Sequence, residues 1–462
     1  MTDASAFPIV LPIDYADPLA VFAALRGEGM AVLLDSAAPG PDSGRFSLVA
    51  VEPVAMIAAD WPTAFERLAA LWDGLPKSCG APDWPIGPGL IGSFGYELRR
   101  ALERVPARHS REPGPPDLLI GLFDTVVAFD VVERRAAVIA CDIDLNRPTA
   151  TKRAANMAAR CVNAPALPEV DWTPTARWTA DLSPEAHADK VLRILDYICA
   201  GDVYQANFTQ RWVAPRPASL DAFELYRRLR ILTPAPYASF IQDGVGNALV
   251  SASPELFLKL TPQGSIETRP IKGTRPRGVA VREDLEQAAA LRDSAKDRAE
   301  NLMIVDLLRN DLGRVAEFGS VTVPELNALY SFASVHHLVS TVRAQLSAGL
   351  GPIDLIQASF PGGSVTGAPK IRAMEIIDEL EAAGRGHYCG SIGWIGLDGG
   401  MELSITIRTL TVTPDSIIAQ AGGGVVADSD PMGEYEEALT KARPLLATLD
   451  PDYREAWSGF DR

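Results

Sequence analysis

The alternation of apolar and polar positions divides the chain into an N-terminal part rich in strands and turns and a longer part where hairpins alternate with helices. Residues 118–129 and 137–143 predict two paired strands around the polar turn Glu133-Arg134-Arg135. From 163 to 182 the periodicity lapses and Pro165, Pro168 and Pro174 interrupt the backbone, which marks a connector. Ser183-Pro184 then supplies a helix cap and a first-turn proline. Val191, Leu195 and Ile198 share one stripe, and Gly201 closes the element. Residues 247–260 and 265–272 predict two strands joined by Pro262-Gln263-Gly264. A turn centred on Gln263-Gly264 sets Glu255 opposite Lys272, and a slip of one residue separates them. In 401–412, Leu403, Ile405 and Ile407 alternate with Ser404, Thr406 and Arg408, giving one apolar and one polar face. This mixture predicts an α+β chain without a short repeat. Its expected segments are 1–165, a connector over 166–182, a region over 183–450 and a tail over 451–462.

With 462 residues, 47% of them hydrophobic, the chain has material for two or three ordinary domains and large cores. Its net charge of −16 argues against nucleic-acid and anionic-membrane partners. Cys79, Cys141, Cys161, Cys199 and Cys389 show no paired spacing, which suits a reducing compartment. Met1-Thr2-Asp3-Ala4-Ser5 lacks a basic signal region and no uncharged apolar run reaches spanning length, so a cytoplasmic location is expected.

Candidate chemistry gathers in a few short runs. Lys272 stands in Pro270-Ile271-Lys272-Gly273-Thr274, with Arg269, Arg275 and Arg277 around it. Flanking cations destabilise an ammonium and expose a nucleophilic amine; a run of this kind standing alone reads as a basic surface loop. Asp297 and Glu300 are spaced i, i+3, and Glu434 and Glu437 repeat that spacing. Each pair alone reads as a solvated helix face, whereas two facing pairs make a hard oxygen site suited to Mg²⁺. Gly422-Gly423-Gly424 follows the apolar Ile417-Ile418-Ala419. Such a triplet lets backbone N–H groups approach a carboxylate, or forms a bulge, and it lacks the third glycine of a dinucleotide fingerprint. Thr366-Gly367-Ala368-Pro369 opens a predicted helix whose first amides suit an anion.

In combination these motifs, spanning residues 201–446, resemble the chorismate-utilising enzymes, a family that includes anthranilate, aminodeoxychorismate, isochorismate and salicylate synthases. The resemblance implies two orthogonally packed antiparallel sheets covered by helices, with the active site in a cleft. A lysine rather than an alanine in Pro-Ile-x-Gly-Thr points to the aminodeoxychorismate synthase component I branch, an aminotransferase activity at C4 of chorismate serving para-aminobenzoate and folate synthesis. Anthranilate synthase component I, which aminates C2, is the alternative. By the same resemblance Lys272 is the nucleophile and the glutamate of Ser253-Pro254-Glu255 is the general acid for the C4 hydroxyl. Glu300 and Glu437 become direct Mg²⁺ ligands, with Asp297 and Glu434 acting through water. Tyr388 and Lys441 match substrate contacts, and Arg408 is placed to clamp the enolpyruvyl carboxylate. His337 matches a histidine near the ring, for which a buried structural role is the other reading. Gln205 stands where water-adding members carry a lysine base, and glutamine cannot serve as that base. Isochorismate and salicylate synthesis are thereby disfavoured.

The N-terminal part matches more loosely, through Leu33-Leu34-Asp35-Ser36, Gly44-Arg45-Phe46-Ser47 and Gly92-Ser93-Phe94-Gly95-Tyr96-Glu97. In related anthranilate synthases the first of these, with glutamate in place of Asp35, belongs to a tryptophan pocket; an ordinary core is the other reading. No cysteine lies in the Gly-x-Cys-x-Gly turn of a triad glutaminase. A glutamine amidotransferase partner supplying ammonia is therefore expected.

Overall fold

Long alternating segments pair into two sheets, and every strand pairing in both is antiparallel. The computed structural model describes residues 7–450 apart from 41–42, 78–79, 82, 145, 163, 279 and 333–334. Cys79, the first five residues and the 451–462 tail lie outside the described residues. Among the latter, one sheet has twelve strands and the other ten, with eleven α-helices around them, an α+β fold. The first sheet runs from Ile9–Ile13 through Arg135–Ala140, Thr125–Asp130, Phe46–Val51 and Ala31–Asp35. It continues through Tyr237–Gln242, Ala248–Ser253, Thr409–Val412, Ser416–Val425 and Gln205–Pro215. The second includes Leu118–Phe123, Gly89–Phe94, Ser391–Gly396, Met401–Ile405, Leu256–Leu260, Ser265–Arg269, Val335–Gln345 and Ile271–Pro276. Both sheets thus combine strands from 1–165 with strands from 183–450.

Three apolar layers follow from this arrangement. Val32, Leu48, Ile139 and Ile241 of the first sheet meet Ile91, Phe123, Ile392 and Trp394 of the second. The outer face of the first sheet is covered by helices carrying Phe22, Met157, Phe223 and Leu445; that of the second, by helices carrying Leu68, Val305 and Ile356. The helix Pro184–Cys199 starts as predicted: the Ser183 side chain accepts from the Ala186 amide, and Val191 lies on its buried face. Among the described residues no helix is long and apolar enough to cross a membrane.

Three runs that read as single strands are each two strands in different sheets. Residues 118–129 break at Asp124, 247–260 at Pro254-Glu255, and 401–412 at residues 406–408. A strand that changes sheet at a corner keeps its period of two on both sides of the bend. The pairing of Thr125–Asp130 with Arg135–Ala140 is as expected. The direct pairing of Glu255 with Lys272 is not found. The hairpin pairs Leu260 with Ile266 and Lys259 with Glu267, then shifts by a bulge to Leu256 with Arg269. Pro270 has no amide hydrogen and parts Ser265–Arg269 from Ile271–Pro276, whose partner is Val335–Gln345, with Lys272 beside Leu338.

Candidate active site

Two of the sheet-switching corners bring the polar groups together. Glu255 stands at one and Arg408, with φ +54°, at the other, and the Ile405 amide donates to the Glu255 carbonyl at 3.1 Å. Arg408 therefore lies at a crossover rather than on the polar face of a continuous strand, with Nη1 donating to the Lys441 carbonyl at 3.3 Å.

Lys272 and Glu255 meet through a third residue. The Lys272 ammonium donates to the Ser364 carbonyl at 3.3 Å, and the Glu255 carboxyl is hydrogen-bonded by the Ser364 side chain and the Ile271 amide. Burial lowers the Lys272 pKa, outweighing the attraction of Glu300 and Glu255, and Lys441 lowers it further. Burial raises that of Glu255 against the hydrogen bond from Ser364 and the charge of Lys272. Their proton affinities thus shift toward one another, so moving a proton from Lys272 to Glu255 costs less than in water. The expected role of the neighbouring arginines is not found. Arg269 pairs with Glu267 at 2.8 Å, Arg275 with Asp297 at 3.2 Å and Arg277 with Asp284 at 2.6 Å. Each guanidinium is held at a carboxylate, so burial is the main cause of the Lys272 shift.

The four acidic residues lie on two helices, Ala295–Gly313 and Pro431–Leu446. The first is capped by Ser294 and anchored through Ile304, Val305 and Leu308, and the second is capped by Asp430. Gly273, at φ +74°, lets the Lys272 strand pass the first helix, since a Cβ there would sit 3.0 Å from the Asp297 side chain. A Cβ on Gly423 would lie 2.9 Å from Glu434 Oε2 and 3.3 Å from Glu437 Oε1, so this glycine opens a cradle for both carboxylates. Burial raises the Glu300 pKa against the charges of Lys272 and Lys296, with smaller raising contributions from Asp297 and Glu437; burial raises Glu434 against its Ser429 hydrogen bond. Lys441, 2.6 Å away, pulls Glu437 down. Among the described residues no group of three or more His, Cys, Asp or Glu is already arranged to hold a metal ion. The partners explain this: Asp297 is tied to Arg275, Glu434 to Ser429 and Glu437 to Lys441. The oxygen donors and the glycine cradle nonetheless suit a hard dication.

The remaining predicted residues divide. Lys441 also donates to the Gly422 carbonyl at 2.8 Å, which links it to the glycine strand. Gln205 is fully buried against Gly424, and neither its Oε1 nor its Nε2 has a protein partner. Tyr388 is buried and interacts electrostatically with Arg408. His337 is half-buried, bonded to Thr274 Oγ1 at 2.9 Å, and brought to a pKa of about 4 chiefly by burial. Its neighbour His336 is the fully enclosed one, held by Ser331 and Asp284. Thr366 is buried with its hydroxyl donating to the Gly362 carbonyl at 3.1 Å. The helix after it begins at Lys370, whose ammonium joins Asp311 at 2.7 Å. Asp35 is buried with Arg230 at 2.6 Å and the Tyr226 hydroxyl at 2.7 Å, a polar cluster rather than an apolar core.

Sequence reasoning missed Ser364, whose signal was a hydroxyl after Gly362-Gly363 in the run leading to Thr366. Its hydrogen bond lowers the Glu255 pKa. Ser364→Ala is expected to raise the Glu255 pKa, moving a limb of the kcat/KM profile to higher pH, and to cut kcat about tenfold, the cost of roughly 1.4 kcal/mol for one lost hydrogen bond. Ser364→Thr should restore both, and an unmoved limb would remove Ser364 from this role.

Residues 31–447 match the family described as chorismate binding enzyme. Aminodeoxychorismate synthase component 1 of Klebsiella aerogenes is 41% identical over 447 residues, covering 93% of this chain and 96% of that one. Anthranilate synthase component 1 of Streptomyces coelicolor is 38% identical over 457 residues, covering 94% and 87%. Among solved structures, anthranilate synthase component I from Streptococcus pneumoniae superposes with a TM-score of 0.78 at 31% identity, covering 87% of this chain and 92% of the other.

Proposed function

The chain belongs to the chorismate binding enzyme family, and from that premise we propose that it aminates chorismate at C4 to give 4-amino-4-deoxychorismate. The observation that carries the reading is the Lys272 amine in Pro270-Ile271-Lys272-Gly273-Thr274, joined through Ser364 to the buried acid Glu255. The neutral amine of Lys272 attacks C2, the ring double bond shifts, and the C4–O bond breaks as Glu255 protonates the departing hydroxyl to water. Ammonia then bonds to C4, the double bond returns, and the C2–N bond to Lys272 breaks, regenerating the amine. Two displacements of this kind replace one difficult substitution. Glu300 and Glu437 would hold Mg²⁺ directly, with Asp297 and Glu434 through water. When bound there, the ion would supply positive charge to anchor the ring carboxylate. Arg408 and Lys441 offset the substrate's other negative charge, with Tyr388, Gln205, His337, Thr366 and the Gly422-Gly423-Gly424 amides shaping the cleft. These local cations answer the difficulty of holding a dianion on a chain of net charge −16.

The test is incubation with chorismate, Mg²⁺ and ammonium at mildly alkaline pH, with products separated by mass and retention. The para-amino product is expected, convertible to para-aminobenzoate by a lyase. Anthranilate as main product would instead assign C2 amination, the activity named for the Streptomyces coelicolor relative. Glutamine alone should not support turnover by the isolated chain, since a separate cytoplasmic glutaminase is proposed to deliver the ammonia. Glutamine-dependent turnover by the pure single chain would overturn that partner.

A further inference from the structure

Ser364 serves both reacting groups: its carbonyl accepts from Lys272 at 3.3 Å, and its side chain hydrogen-bonds Glu255. The turn that carries it, Gly363–Val365, is held only loosely from within. The Val365 amide reaches the Gly362 carbonyl at 3.3 Å, and the Thr366 amide reaches that of Gly363 at 3.4 Å, both long bonds. A firmer grip comes from outside the turn. Arg385 Nη1 donates to the Val365 carbonyl at 2.7 Å, and Nη2 donates to the Asn207 carbonyl at 2.7 Å. The same guanidinium meets Glu381, with Nε 3.0 Å from Oε2 and Nη2 2.6 Å from Oε1. Glu381 Oε1 accepts in turn from the Thr209 amide at 3.0 Å and the Thr209 hydroxyl at 2.7 Å. Asn207 and Thr209 pair with Gly424 and Gly422 across the sheet. One guanidinium thus joins the Ser364 turn to the strand beside the glycine triplet.

Arg385 is 3% exposed and Glu381 6%, so both charges are withdrawn from water. A buried ion pair contributes little net stability over packed apolar side chains of similar volume. What it supplies here is direction. The planar fork presents its N–H groups at fixed angles to two carbonyls and a carboxylate, an arrangement that an ammonium does not reproduce. Each of these bonds is charge-assisted and correspondingly strong. Tyr96 closes one face of the fork, its ring centre 4.8 Å from the guanidinium carbon.

We propose that Arg385, oriented by Glu381, is a positioning residue that fixes the Val365 carbonyl and thereby the two Ser364 groups linking Lys272 to Glu255. It touches neither reacting side chain and acts through Ser364. The Ser364 carbonyl, by accepting from the ammonium, favours the charged form of Lys272. A turn released by Arg385 would therefore let the amine lose its proton at lower pH. The contribution to turnover rests on the C4-amination reading, whereas the hold on Ser364 does not.

Arg385→Lys keeps the charge and gives up the fork. Trace acetylation of the full chain by acetic anhydride across pH, read on the peptide carrying Lys272, follows deprotonation of that amine without turnover. The midpoint should move to lower pH in Arg385→Lys and stay in place in Ser364→Ala, which keeps the carbonyl. Glu381→Asp also keeps its charge but shortens the reach; it should move the midpoint the same way, and it decides the matter if the lysine variant does not fold. In C4 amination Arg385→Lys should cut kcat at least about tenfold, as a misplaced reacting group does, with KM for chorismate within about threefold. Combined with Ser364→Ala it should cost less than the product of the two separate losses, because both act through one residue. A wild-type midpoint in the folded, charge-conserving variant would overturn the proposal, and so would losses that multiply in the double variant. A shifted midpoint in a chain that does not aminate C4 would uphold the positioning role and reject the amination reading instead.

Discussion

Lys272→Ala is expected to lower C4 amination by at least about 10²-fold, the lower range of what a positioned reacting side chain contributes. The argument starts from the strand Ile271–Pro276, which sets the amine against the Ser364 carbonyl and electrostatically beside Glu255 and Glu300. If the amine only positioned substrate, its removal would raise KM and leave kcat and the para product largely intact. If it attacks C2, removal takes away the normal route and vacates the space beside C2, so residual amination should shift toward the ortho position. The pH profile separates the two further. Burial lowers the Lys272 pKa below its ordinary value, so the neutral amine is populated at lower pH than for a free lysine. The acid limb of kcat/KM should report that deprotonation and disappear in the alanine variant. With ammonia withheld, wild-type enzyme mixed with chorismate and Mg²⁺ should show a substrate-derived mass on the peptide carrying Lys272 after rapid quenching. Wild-type rates of C4 amination by Lys272→Ala would rule out covalent catalysis by this residue.

Elements with one periodicity and ordinary boundary residues were legible from the sequence. The helix at Pro184–Cys199 is one, because Ser183, Pro184 and Gly201 each act within a few residues. The turn through Glu133-Arg134 is another, although Arg135 already pairs with Asp130 as the first residue of the next strand. What stayed hidden is set by distant partners. Residues 401–412 keep a faultless alternation while the chain leaves one sheet and enters the other, so Arg408 looked like a strand residue. The hairpin already runs one residue off the expected register at Leu260–Ile266, the bulge between Leu256 and Lys259 shifts it by one more, and after Pro270 the Lys272 strand takes Val335–Gln345 as its partner. The arginines around Lys272 were read from proximity along the chain, whereas Glu267, Asp297 and Asp284 claim them in space. Glu255, Lys272, Glu300 and Glu437, named from motifs far apart in the chain, lie in one electrostatic neighbourhood.

Removing a carboxylate from the paired helices should have the other large effect. Glu300 lies in the same electrostatic neighbourhood as Lys272, Asp297 and Glu437, and like charges gathered this way repel unless a cation intervenes. Burial raises the Glu300 pKa against the charges of Lys272 and Lys296, with Asp297 and Glu437 adding to it, and a dication would favour the charged form. Metal binding should therefore release protons and weaken as the pH falls through the raised Glu300 value. Glu300→Gln and Glu437→Gln each remove a charged oxygen and should weaken the apparent Mg²⁺ affinity by at least about 100-fold, with activity following. Asp297→Asn and Glu434→Gln, acting through water, should cost only about 10–100-fold. Glu437→Gln carries a second signature: it frees Lys441 from its 2.6 Å ion pair, and the released cation should partly offset the lost metal charge in substrate binding. Calorimetric Mg²⁺ titrations in two buffers of different ionisation enthalpy measure both affinity and proton release. A wild-type titration curve from Glu300→Gln would exclude it as a ligand, and equal losses from all four variants would erase the distinction between direct and water-mediated contacts.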